Sequence, residues 1–392
     1  MATAVLSPSV SNLECSLTGA RAPAPAAGAP GGLSEAGAPL LVRYELKPGD
    51  AWRSKERRGL WRYAPLLPVS GAPDGYMDDV GETPLHRAPS LGKGTWVKDE
   101  STNPSGSFKD RGLAVAVALG AACGARRFCL PTQGNAGVAA SMWSARMGLA
   151  PALVYMPEGH QGGVYAEAAE LYGAEVRYIG RHIGEAGKAM RDDLAKDLAA
   201  GELVDVSTFF EPGRLEGKKT MGLELFEAFA AARLPDWILY PTGGGTGLVG
   251  IWKAFAELQA LGVLDPEVHG LPRMVAVQSE RCAPVVQAFE RGDDRVTTIE
   301  SQGTCADGLD VPGAIMGHGI LKVLAESEGA AVAVTEEALL EGRRELGRAG
   351  IAACNEGGAA LAGAKALRES GDISDDDWVV ILNTGRQRAA SP

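Results

Sequence analysis

RFCLPTQGNAGVAASMWSARMGLAPALVYM, residues 127–156, sets a short apolar run, a Gly-Asn turn, an amphipathic stretch of helical period and a second apolar run in succession. The same alternation runs outward in both directions. Before it come TWVKDE and FKDRGLAVAVALGAA; after it come VYAEAAELYG, EVRYIG, ELVDVS, DWILYPT, RMVAVQS and finally WVVILNT. Short apolar runs give buried strands and the segments between them give helices. Alternation of this length predicts an α/β fold with mostly parallel sheets flanked by helices. In such sheets ligands sit at the carboxyl ends of strands, so the turns after the apolar runs are where chemistry is sought.

The chain has 392 residues, more than one hydrophobic core usually organises, and two lobes are expected. A net charge of −11 excludes a general affinity for nucleic acid or an anionic membrane, both of which need a basic surface. An anionic substrate would need a local cationic pocket. The six cysteines (Cys15, Cys123, Cys129, Cys282, Cys305 and Cys354) include no C-x-x-C pair. That pattern suits reduced thiols in a cytoplasm, and no metal site is expected. No apolar run reaches about 18 residues and the start lacks a signal-peptide pattern, so a cytoplasmic protein is expected. The stretch 22–39 is almost wholly Ala, Pro, Gly, Leu and Ser, composition for a loop or poorly ordered arm. No fixed-period repeat is present.

Five turns carry candidate chemistry. In NPSGSFKDRG, residues 103–112, a Pro/Ser/Gly turn delivers Lys109 into the first turn of a helix. A lone lysine is ordinarily solvated. Here the positive end of the helix dipole disfavours an ammonium, which favours the free amine that imine formation needs. In PTQGNAG, residues 131–137, backbone N–H groups and the Thr132, Gln133 and Asn135 side chains converge between a strand and a helix, a nest for a carboxylate or ring oxygen. In PTGGGTGLVG, residues 241–250, clustered glycines let the backbone wrap a phosphate. Gly245, Gly247 and Gly250 also spell a G-x-G-x-x-G, but a dinucleotide site requires an acidic residue at the end of the next strand about 20 residues on. The next strand reaches Glu280 only after a longer excursion. In EPGRLEGKKTMGLE, residues 211–224, Arg214, Lys218 and Lys219 gather three cations in an otherwise acidic chain. A guanidinium there offers a fork to a phosphate monoester or a carboxylate, and a solvated basic helix start is the plainer alternative. WVVILNTG, residues 378–385, empties a strand onto Asn383 and Thr384.

In order and approximate spacing, GETPLHR, KDESTNPSGSFKDRG, the Gly-Asn turn, EPGRLEGKKTMGLEL and PTGGGTGLVGIWKAF resemble the threonine synthases, pyridoxal-phosphate enzymes of fold type II. The likeness runs from about Asn12 to Gly385. It implies a tryptophan synthase β-like fold in two lobes, each with a mostly parallel sheet. Residues 81–109 with 211–392 would form a large cofactor-binding lobe and 110–210 a smaller mobile one, behind an N-terminal segment over 1–80. It further implies a carbon–oxygen lyase acting on a phosphate ester, turning O-phospho-L-homoserine and water into L-threonine and phosphate, and a homodimer.

By that resemblance Lys109 is the Schiff-base lysine and the catalytic residue, preceded by Phe108. Asn135 bonds the ring hydroxyl of pyridoxal 5'-phosphate. Gly243, Gly244, Gly245, Thr246 and Gly247 hold its phosphate, and Thr384 faces its pyridine nitrogen. Arg214 and Lys218 take the substrate phosphate, with Thr132, Gln133 and Asn135 on the substrate carboxylate. The chain departs from the family in its opening, at Asn355 and at NTGRQRAASP, where a glycine–lysine ending commonly follows. The zinc-ribbon opening keeps Cys15 alone, with Thr18, Leu33 and Ala36 where further cysteines would stand. Asn355 replaces a usual proline. TCADGLDVP, residues 304–312, is compatible with some threonine synthases and is also similar to threonine dehydratases, which leaves a dehydratase or another β/γ-replacement synthase as the alternative activity.

Overall fold

The computed structural model describes residues 4–70, 78–230 and 232–388. Its strands are β1 (Val10–Cys15), β2 (Arg21–Ala22), β3 (Leu40–Tyr44), β4 (Leu85–Arg87), β5 (Thr95–Asp99), β6 (Arg127–Pro131), β7 (Leu153–Met156), β8 (Glu175–Tyr178), β9 (Leu203–Asp205), β10 (Trp237–Pro241), β11 (Arg273–Ser279), β12 (Ala330–Val334) and β13 (Val379–Asn383). Two compact units divide them. The first contains the described residues through Glu82, Lys109–Thr220 and Arg388, and the second contains Thr83–Phe108 and Met221–Gln387.

In the second unit six strands form one sheet in the order β12-β11-β10-β13-β5-β4, all parallel except β4, which runs antiparallel to β5. WILYP and VVILN are buried along their whole length. Continuous burial is what a parallel strand covered on both faces requires, and it explains why these runs are apolar without alternation. Leu239, Val275, Val277 and Ile381 pack with Ala359, Ala360, Leu361 and Ala364 of the helix Asn355–Glu369 in one core. The strand β12 was not among the runs expected. Its sequence AAVAV is too poor in large side chains to announce itself, and it is held by its register with β11, from Val275 opposite Ala330 to Ser279 opposite Val334.

The first unit carries a four-stranded parallel sheet in the order β8-β7-β6-β9. The helix Lys109–Ala122 is buried from Asp110 to Gly120. A helix apolar on all sides belongs inside a core. Leu113, Val115 and Val117 accordingly cluster with Phe128, Leu130, Met142, Trp143 and Val154. Trp143 Nε1 donates to Asp110 Oδ1 at 3.2 Å, which fixes the start of that helix from inside the unit.

The small antiparallel sheet β2-β1-β3 wraps Leu13, Cys15, Leu40 and Val42 into a cluster of its own. Cys15 Sγ lies 3.1 Å from Ser34 Oγ and accepts the Thr18 N–H at 3.4 Å. Burial pushes the thiol up, but the Ser34 hydroxyl and the Thr18 groups outweigh it and bring it to about 7. The stretch 22–39 is largely turns with isolated bridges at Ala26–Ala29 and Leu33–Pro39. Among the described residues no three His, Cys, Asp or Glu side chains group as metal ligands, and no helix is long and apolar enough to cross a membrane.

Candidate active site

Lys109 is the first residue of the helix Lys109–Ala122 and is half-buried. The Gly-Asn turn lies in the same unit, after β6. Thr132 N–H donates to Tyr155 O at 2.9 Å, and Thr132 Oγ1 accepts the Gly134 N–H at 3.1 Å, which shapes the turn from within. The helix Asn135–Arg146 then starts on Gly134 with no side-chain cap, leaving amides of its first turn open. Asn135 Oδ1 is buried with no hydrogen-bond partner among the described residues. Gln133 is half-buried beside it in the chain.

The three cations of EPGRLEGKK divide. Arg214 and Lys218 lie one turn apart on the helix Gly213–Phe229 and are 2% and 1% exposed, so the solvated alternative is excluded. Arg214 Nη1 donates to Val206 O at 2.9 Å, while its Nε is buried without a partner among the described residues. Burial lowers the Arg214 guanidinium from its ordinary value, but a guanidinium stays charged. Burial also drives the Lys218 ammonium well down, aided by the positive charges of Lys109 and Arg214. Lys219 turns elsewhere, to Glu216 Oε2 and Leu66 O at 2.6 Å each and over the Tyr44 ring at 4.4 Å.

Two glycines bring Lys218 and Lys109 together. A Cβ on Gly217 would sit 1.9 Å from Arg111 O, and one on Gly112 would meet Arg214 O at 2.9 Å and Lys218 Cε at 3.3 Å. The helices Lys109–Ala122 and Gly213–Phe229 therefore cross backbone to backbone. Glu211, which the sequence reading passed over, caps the second of them by accepting the Gly213 N–H at 2.6 Å and the Arg214 N–H at 2.8 Å. Burial pushes its carboxyl up to about 7 against those amides and the charges of Arg214 and Lys218. Its signal was legible: an acid just before a helix start is a capping residue.

The second unit holds the glycine loop and the strand end at Thr384. Gly245 has φ +77° and, having no side chain, starts the helix Thr246–Ala260 without a side-chain cap, so the positive end of that helix meets the glycine loop. A Cβ on Gly243 would lie 2.3 Å from Gly308 O, and one on Gly245 2.3 Å from Ile320 Cδ1, so a bulkier loop cannot take this path. Gly244 is half-buried, and Thr246 and Gly247 are buried. Phe108 N–H donates to Thr384 O at 2.9 Å, and Thr384 Oγ1 lies 3.5 Å from Cys354 Sγ. The strand β11 ends at Ser279 with Glu280 after it, farther along the chain than the roughly 20 residues a dinucleotide fingerprint allows, and inside the strand Gln278 Nε2 donates to Thr242 O at 3.0 Å and its Oε1 accepts the Val285 N–H at 2.8 Å. That neutral amide is spent on the protein's own backbone, which counts against a nicotinamide site.

A family profile described as pyridoxal-phosphate dependent enzyme matches residues 76–385. The chain belongs to that family. Relatives include the threonine synthase of Methanosarcina acetivorans, 32% identical over 83% of this chain and 79% of the relative. That of Methanocaldococcus jannaschii is 31% identical over 91% of this chain and 86% of its own length. Among solved structures, the processed form of threonine deaminase isoform 2 from Solanum lycopersicum superposes with a TM-score of 0.64 at 20% identity, over 88% of this chain and 95% of that one, a likeness of fold. The cofactor of this pyridoxal-phosphate dependent enzyme suits the residues present. In the first unit Asn135 Oδ1 is a buried polar atom with no partner among the described residues, and in the second the helix Thr246–Ala260 starts on a glycine loop, a position that favours a phosphate.

Proposed function

We propose that the chain is a threonine synthase, a carbon–oxygen lyase converting O-phospho-L-homoserine and water to L-threonine and phosphate. The observation that carries this reading is Arg214, buried in the same unit as Lys109 with its guanidinium Nε lacking a partner among the described residues, in a chain of net charge −11. A buried guanidinium nitrogen with no acceptor is costly unless an anion reaches it. A phosphate ester supplies that anion, whereas the hydroxyl of an unphosphorylated amino acid does not.

In this assignment Lys109 holds the cofactor and Phe108 sets the strand-to-helix turn before it. Gly243, Gly244, Gly245, Thr246 and Gly247 hold the cofactor phosphate, Asn135 bonds the ring hydroxyl, and Thr384 stands at the pyridine nitrogen. Pyridoxal phosphate, when bound, supplies the electron sink for carbanion chemistry, and a neutral threonine at its nitrogen makes that sink a mild one. Thr132, Gln133 and Asn135 orient the substrate carboxylate. Lys109 Nζ moves protons at the substrate Cα and Cβ, as an amine beside other cations can do near neutral pH. Arg214 and Lys218 bind the phosphate whose bond to Cγ breaks, and water adds at Cβ. A homodimer in the cytoplasm is the proposed assembly and setting.

The second reading is a dehydratase or another replacement enzyme on the same scaffold, which TCADGLDVP favours. One assay separates the two. Offered phosphohomoserine, phosphoserine and threonine, the holoenzyme is expected to release phosphate and threonine from the first. A 2-oxo acid formed from threonine, with phosphohomoserine untouched, would establish the dehydratase instead. Borohydride reduction and peptide mapping should place the cofactor on Lys109, and a label on another lysine would overturn the site.

A further inference from the structure

Beyond the glycines, one side chain of the second unit points at the same helix start. Tyr240 closes β10, where DWILYPT reads only as an apolar strand. It is 2% exposed, and its ring meets Phe108 edge-on with centroids 6.2 Å apart at 72°. Its hydroxyl reaches the first turn of the helix Thr246–Ala260: a Cβ on Gly247 would lie 2.1 Å from Tyr240 Oη, so glycine at 247 makes room for the phenol. The Gly247 N–H donates to that oxygen. Burial, and after it the negative charge of Glu100, keeps the phenol protonated far above neutral pH.

The phenolic hydrogen is therefore present, and among the described residues nothing accepts it. A buried donor without an acceptor is unfavourable, and this one stands at the positive end of the helix Thr246–Ala260. An anion with several oxygens accepts the phenolic hydrogen and is favoured by that helix end. We infer that Tyr240 donates its phenolic hydrogen to a phosphate oxygen of bound pyridoxal phosphate, which makes it a cofactor-binding residue in addition to the glycine loop. The inference rests on the placing of that phosphate at Gly243–Gly247.

The test compares pyridoxal phosphate with pyridoxal, which lacks the phosphate, binding to the apoprotein. Tyr240→Phe keeps the ring and removes the donor. It is expected to weaken pyridoxal phosphate by roughly 10- to 100-fold, the worth of a hydrogen bond to a charged acceptor, while pyridoxal changes by less than about twofold. An equal loss for both ligands would mean a packing role only, and no loss for either would overturn the inference. Gly244→Asp, which sets a negative charge in the loop, separates the two assignments. A loss with Gly244→Asp but none with Tyr240→Phe sinks Tyr240 alone, and no loss with either sinks the loop. As a second measurement on a chain with an intact phenol, the 19F resonance of 3-fluorotyrosine at position 240 should move with pyridoxal phosphate and stay fixed with pyridoxal. A resonance indifferent to both would also overturn it.

Discussion

At the scale of single residues, partners and not burial distinguish the cations, since Arg214, Lys218 and Lys219 are all buried. Lys219 is answered by Glu216, a carbonyl and an aromatic face. Arg214 keeps a buried Nε with no partner among the described residues. Truncating one member of a buried charge-assisted contact costs about 2–5 kcal/mol when the other charge stays behind. Arg214→Ala is accordingly expected to lower kcat/KM for phosphohomoserine by roughly 30-fold to several thousand-fold. The visible absorption of the bound cofactor should be unchanged, because its phosphate is assigned to the glycine loop. Arg214→Lys should recover only part of the rate, since a point charge does not reproduce the guanidinium fork. Steady-state kinetics with a parallel absorption spectrum check both variants, and cofactor loss in Arg214→Ala would move the residue to the cofactor site.

At the scale of elements, the crossing of Lys109–Ala122 with Gly213–Phe229 is what places Lys218 beside Lys109. Alanine is intrinsically the better helix former, by about 1 kcal/mol over glycine. At position 217 that gain loses to sterics, because the new Cβ would sit 1.9 Å from the Arg111 carbonyl oxygen, and backbone cannot yield as a flexible side chain can. Overpacking of this kind costs about 1–3 kcal/mol or more. Gly217→Ala should therefore lower the urea midpoint and also reduce kcat/KM, since the helix carrying Arg214 and Lys218 must shift. A variant as stable and as active as the parent would show that the crossing tolerates separation. The glycines at 112 and 217 stand in motifs that the sequence reading used only for their charged residues. Nothing along the chain says that two helices a hundred positions apart will touch there.

At the scale of the whole molecule, residues 110–210 are proposed to act as the mobile lobe that orders around substrate and excludes water from reactive species. Hydrogen exchange measured with and without a non-reactive phosphonate analogue of the substrate should show slower exchange in this stretch, and unchanged exchange throughout it would remove the idea. Local motif and long-range packing contribute differently here. The strand–helix alternation, the sheets it builds and the turns at Lys109, Asn135, Gly243–Gly247 and Thr384 were legible in the sequence, because apolar period and turn chemistry act over a few neighbouring residues. Family motifs in a fixed order carried the cofactor with them. The tertiary structure alone decided the rest. It added β12, whose alanines have no strand signature and which exists by pairing with β11. It split three adjacent cations into two that side with Lys109 and one bound to Glu216. It also brought the Tyr240 hydroxyl against Gly247. Each of these depends on burial and on partners distant along the chain, quantities that the order of residues encodes only through the completed fold.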